Sequence, residues 1–136
     1  MSIALSTTVR GSFDDTVART REALAAQGFG VLTEIDMKAT LSKKLGEPAG
    51  EELGDYVILG ACNPPLAQRA VRVDRQIGLL LPCNVVVRRD PDDSATVHVE
   101  AMNPQLLVEV TGEADLRPVA DEVTTKLQSA IDSLNA

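Results

Sequence analysis

Asn84-Val85-Val86-Val87-Arg88-Arg89-Asp90-Pro91-Asp92-Asp93-Ser94-Ala95-Thr96-Val97-His98-Val99-Glu100-Ala101-Met102 is the stretch that decides the fold. Two segments, Asn84–Arg89 and Ala95–Met102, alternate at period two on either side of Pro91-Asp92-Asp93-Ser94. That pattern predicts a β-hairpin with one face turned to a core. A half-apolar sheet needs a second layer, and the C-terminal segment offers one. Leu116, Val119, Ala120, Val123, Leu127, Ala130, Ile131 and Leu134 make one wide apolar helix face, with Pro118 tolerated in the first turn.

Working back from the hairpin, Tyr56–Ala61 is a short apolar run that suits a strand covered on both faces. Asn63 then caps a helix with Pro64 in its first position, and Leu66, Ala70, Val73 and Ile77 carry its stripe to a stop at Gly78. Nearer the N-terminus, Ile3–Val9 reads as a strand, and Ser12 caps a helix over 13–27 that stops at Gly28. From Phe29 the period is two, with Phe29, Val31, Thr33 and Ile35 on one face and Gly30, Leu32, Glu34 and Asp36 on the other. Asp36 caps a short helix on which Met37, Leu41 and Leu45 align, and Glu47–Gly54 reads as a polar loop. Asn103-Pro104 opens either a short helix or a strand over Gln105–Val110. The expected architecture is α+β: a single two-layer domain over 1–136, with about five strands in a mixed or antiparallel-containing sheet, ordered β-α-β-α-β-α-β-β-α, and helices packed on it.

Composition narrows the function. Thirteen basic and twenty acidic residues give a net charge of −7, the wrong sign for tracking phosphates or an anionic membrane surface. Phe13, Phe29 and Tyr56 are the only aromatic residues, too few for a base-stacking platform, so neither nucleic acid nor membrane is an expected partner. The start, Met1–Ser6, lacks a basic segment followed by an apolar one, and the expected location is the cytoplasm. In that compartment Cys62 and Cys83 are expected to be free thiols.

Chemistry concentrates in two places. Cys62 lies between a buried strand and a capped helix start, where unpaired N–H groups favour a thiolate; the alternative makes it a small buried hydrophobe. Cys83-Asn84 repeats the Cys62-Asn63 pair. Parallel strands would hold the two thiols about 20 Å apart, beyond disulfide reach, whereas antiparallel strands would let them meet. At the second place, Glu34 and Asp36 share a strand face about 7 Å apart, with Lys38 following, either as an acid/base pair or as a solvated residue, a helix cap and a surface charge. No metal site is expected, since His98 has no partner at ligand spacing and there is no Cys-x-x-Cys. The residues do not identify a cofactor.

Three segments carry a family resemblance: Thr33–Leu41 (TEIDMKATL), Ile58–Ala67 (ILGACNPPLA) and Ile77–Val87 (IGLLLPCNVVV). Together, over residues 29–108, they resemble the domain-of-unknown-function 302 family of bacteria and archaea. The resemblance implies a compact α+β fold and a homodimer, and it implies no particular activity. It marks Glu34, Asp36, Lys38, Cys62, Asn63, Cys83 and Asn84 as the candidate site. The loop Gly46–Gly54 looks longer than the family's usual connection. Three functions follow in order: a binding or regulatory module holding a small anion, metabolite or metal near the Cys62–Asn63 helix start; a homodimeric interaction protein without a ligand; and a thiol redox enzyme using Cys62 with Cys83.

Overall fold

The computed structural model describes residues 2–135. Five strands, β1 (Ala4–Arg10), β2 (Gly30–Asp36), β3 (Tyr56–Cys62), β4 (Cys83–Arg89) and β5 (Thr96–Met102), form one sheet in the order β1-β5-β4-β3-β2. Every neighbouring pair is antiparallel, so the α+β expectation holds with no parallel strand in it. The helices are α1 (Phe13–Ala26), α2 (Met37–Leu45), α3 (Glu47–Leu53), α4 (Pro64–Val73), α5 (Gln105–Thr111) and α6 (Arg117–Ser133). No helix among the described residues is long and apolar enough to cross a membrane.

The hairpin β4–β5 builds the floor of the core. Val85, Val87, Val97 and Val99 are wholly out of water on one sheet face, here called inner. Against them pack Phe13 and Leu24 from α1, Leu66 and Ala70 from α4, and Val119, Val123 and Leu127 from α6. Strand β1 lies at one sheet edge and β2 at the other, so the connection between them must traverse the whole sheet. The 14 residues of α1 span about 21 Å, close to the roughly 19 Å across five strands. Ser12 sets where that helix begins by accepting a hydrogen bond from the Asp15 N–H at 3.1 Å. Its buried Thr16 and Thr20 hydroxyls donate to backbone carbonyls one turn earlier, which removes the penalty of burying them.

The structure departs from the sequence reading in four places. Glu47–Leu53 is a helix rather than a loop. Gly50 permits it: a Cβ there would overlap the Ser42 hydroxyl and come within 2.6 Å of the Lys38 carbonyl, so α3 lies against α2 only with glycine at the contact. Second, the helix after Asn63 does not run to Gly78. It stops at Val73, and the Asp74 carboxylate accepts from the Gln76 N–H at 2.9 Å to start a separate 3₁₀ turn, Arg75–Leu80, that buries Ile77. Third, the stripe on α2 buries no side chain, and Leu45 is 72% exposed. Fourth, β2 carries a bulge between Val31, opposite Ala61, and Thr33, opposite Gly60. Adjacent residues of β3 point to opposite faces, so the bulge reverses the expected alternation. Glu34 and Asp36, opposite Leu59 and Val57, therefore share the inner face with Val31 instead of opposing it.

Leu127 is fully buried and Asp132 exposed on the same helix. Leu127→Ala is expected to cost about 2–5 kcal/mol and Asp132→Ala little, measured as urea midpoints. At the sheet, a Cβ on Gly60 would run into Thr33 and lie 2.8 Å from the Pro82 ring. Gly60→Ala is expected to cost about 1–3 kcal/mol in the same assay; unchanged stability would contradict that close packing.

Candidate functional site

The antiparallel pairing of β3 with β4 answers the question the two Cys-Asn pairs raise. Cys83 opens β4 opposite Ala61, one residue from Cys62, so both cysteines come to the same end of the sheet, and both are free thiols. Asn63 is occupied by the scaffold. Its Oδ1 accepts from the Leu66 N–H at 3.4 Å to cap α4, and its Nδ2 donates to the Gln27 carbonyl at 3.5 Å. Beside these residues lies a cavity of about 30 Å³ lined by Phe29, Leu66, Ala70, Cys83, Val119 and Val123. That volume is about one water, and the walls are apolar. Burial, and then the neighbouring Cys62, push the Cys83 thiol up to about 11. Cys83 is thus a poor source of thiolate. Among the described residues no three His, Cys, Asp or Glu side chains converge as a metal site.

Glu34, Asp36 and Lys38 lie at the other end of the sheet. Gly30 is opposite Cys62 and Asp36 is opposite Val57, a separation of five β3 residues, or about 17 Å. Each charge there has a local partner. Glu34 takes a hydrogen bond from Arg21 at 2.6 Å, Asp36 caps α2 through the Ala39 N–H at 2.9 Å, and Lys38 lies 3.6 Å from Asp55. Asp55 in turn pairs with Arg89 at 2.8 Å, which ties the start of α2 to the end of β4. Asn84 is in a third place. It follows Cys83 on β4 and is exposed on the opposite, outer face of the sheet. The seven candidate residues thus divide among a packed sheet end, a set of ion pairs and an open surface.

That open surface holds residues the sequence reading left aside. Register places Thr8, His98, Arg88 and Tyr56 side by side across β1, β5, β4 and β3, and Ser6, Glu100, Val86, Ile58 and Ile35 in the next row. The first row is polar, and the second becomes apolar from Val86 onward. Arg88 donates through Nε to Glu100 at 2.7 Å, a hydrogen bond that holds its guanidinium more firmly protonated, and His98 Nε2 lies 2.7 Å from Asp90 Oδ1. The same bond to His98 is the main reason that the Asp90 carboxyl titrates below the usual range. Toward the Asn84 end, the face sinks into an open trough of about 450 Å³ lined by Ile3, Tyr56, Asn84, Val86, Glu100, Met102 and Leu106. Val86 and Met102 at outward positions of otherwise polar strands were the available signal. An antiparallel sheet facing water ordinarily presents polar residues there.

A family model described as Domain of unknown function DUF302 matches residues 5–134, from within β1 to beyond α6. Among solved structures, the crystal structure of an uncharacterised conserved DUF302 protein from Bacillus stearothermophilus superposes with a TM-score of 0.85 at 26% identity, covering 97% of this chain and 98% of that one. No curated protein matches. Since the family model takes in all five strands and all six helices, the chain belongs to the DUF302 family.

Proposed function

We propose that this protein is a binding module that works through the outer face of its sheet, with a second copy of the chain stacked on that face. The observation that carries the reading is an apolar outer surface beside polar groups that are already bonded to one another. Arg88 is paired with Glu100, Asp90 is hydrogen-bonded to His98, and Val86, Ile58, Ile35 and Met102 lie beside them. The chain as a whole carries −7, so most ways of bringing two copies together set like charges against each other. Stacking the outer faces lessens this. Five strands of seven residues make a face of about 19 by 24 Å. That is about 460 Å² in projection, to which side-chain relief adds, against the roughly 800 Å² per partner of a standard stable interface.

The helix start at Cys62 and Asn63 supports a ligand less well, since its cavity has room for about one water and Asn63 is committed to its cap. A thiol enzyme using Cys62 with Cys83 is supported least, because burial holds Cys83 protonated near neutral pH.

Sedimentation of the wild-type chain at about 10 μM is expected to give a dimer, and Val86→Glu is expected to weaken it about tenfold or more with unchanged circular dichroism. A wild-type monomer, or an unaffected dimer in the variant, would overturn the stacking. For the thiols, iodoacetamide at pH 8 is expected to label Cys62 ahead of Cys83, read by peptide mass. Equal labelling of the folded protein would show that Cys83 is not held as the thiol.

A further inference from the structure

We infer that the stacked face is a pH-sensitive contact: when His98 takes up a proton two copies hold each other more tightly, and when it gives the proton up they part more readily. The inference rests on the stacking proposed above and adds its regulation. His98 is the single histidine of the chain. Histidine is the side chain whose charge ordinarily changes between pH 5 and 8.

Register puts His98 on the face in question. Val97 and Val99 are buried on the inner side, so His98 points outward, opposite Thr8 of β1 and Arg88 of β4. Its Nε2 lies 2.7 Å from Asp90 Oδ1. An ionised carboxylate only accepts, so in the neutral ring Nε2 carries the proton and Nδ1 is left to take a second. The two side chains are 22% and 25% exposed, and a second copy on this face would remove that remaining contact with water.

The sign follows from the charges around the ring. Arg88 of β4 directs Nε and Nη2 to Glu100 of β5 at 2.7 and 3.4 Å, so each of these has its counter-charge. Arg10 of β1, opposite Thr96, lies 3.4 Å from Asp93. Strand β3 brings only the Tyr56 hydroxyl to the row. Asp92 is exposed in the turn, and its N–H donates to Asp90 Oδ2 at 2.9 Å. Asp90 therefore has no cationic partner among the described residues while His98 is neutral. Stacking two faces in that state takes an unmatched carboxylate of each copy out of water, which is costly. Once His98 is protonated, each carboxylate becomes half of an ion pair. Like-charge repulsion from Arg88 weighs less, because Glu100 already matches that guanidinium. Dimer formation thus draws a proton onto each His98, two per dimer, and by proton linkage the dimer tightens as pH falls.

The experiment is sedimentation of the full chain at pH 8 and pH 6, at one ionic strength, over concentrations that span the dissociation. Wild type is expected to dimerise about tenfold or more tightly at pH 6 than at pH 8. His98→Gln keeps an N–H for Asp90 but takes up no proton, and it is expected to dimerise with about the same constant at both. Asp90→Asn is expected to tighten the dimer at pH 8 and to reverse the dependence, since a protonated His98 then lacks its counter-charge. Circular dichroism of each variant checks that the fold is kept. A wild-type dimer that ignores pH or loosens on acidification, or either variant responding to pH as wild type does, would overturn the inference and leave the stacking standing. A monomer at both pH values would overturn the stacking, and this inference with it.

Discussion

The structure depends on keeping water away from one face of an antiparallel sheet. Val85, Val87, Val97 and Val99 form a continuous β-branched floor, fully buried, across the two strands of a single hairpin. Side chains on a strand alternate, so burying these four fixes the direction of every other residue in β4 and β5. Antiparallel pairing carries that choice outward to β3 and β1. The helices then have one surface to cover. Because β1 and β2 occupy opposite edges, α1 has to cross between them, and it brings Phe13, Thr16, Thr20 and Leu24 down over the floor, with α6 packed alongside. Arg19 fastens the two helices by donating to the Leu134 carbonyl at 2.6 Å.

The same alternation that builds the core produces the outer face. Each inward valine has an outward neighbour, and those neighbours are a mixture: Arg88, His98 and Glu100 with Val86 and Met102. Their polar members consume one another. Arg88 pairs with Glu100, and His98 is hydrogen-bonded to Asp90. Such a surface suits self-complementary contact, and the trough beside Asn84 gives it a concave place.

The thiols belong to the opposite side of this logic. Cys83 is on the inner face among core side chains, so the environment that packs it also keeps it protonated. Asn63, which a motif reading pairs with the cysteines, spends its carboxamide on α4 and on the Gln27 carbonyl. Glu34, Asp36 and Lys38 are likewise absorbed into ion pairs and a cap at the far end of the sheet. Recurrent polar motifs in this chain therefore mark where helices and strands begin as much as where chemistry could occur.

Sequence by itself determined the α+β class, the hairpin around Pro91–Ser94, the caps at Ser12, Asp36 and Asn63, and the buried face of α6. Each of these is a local matter of hydrogen-bonding side chains and periodicity, written within a few residues. Tertiary structure alone decided the rest. The bulge in β2 reverses the faces of Glu34 and Asp36 because register belongs to two strands, not one. Helix α3 forms through Gly50, a residue that disfavours helix locally and is required by contact with Ser42. The direction of β3 against β4 brought Cys62 and Cys83 to the same end of the sheet and put Asn84 on its outer face. Whether Val86 and Met102 end in core or in an open trough depends on which face the helices cover, and no spacing along one strand records where a distant helix will lie.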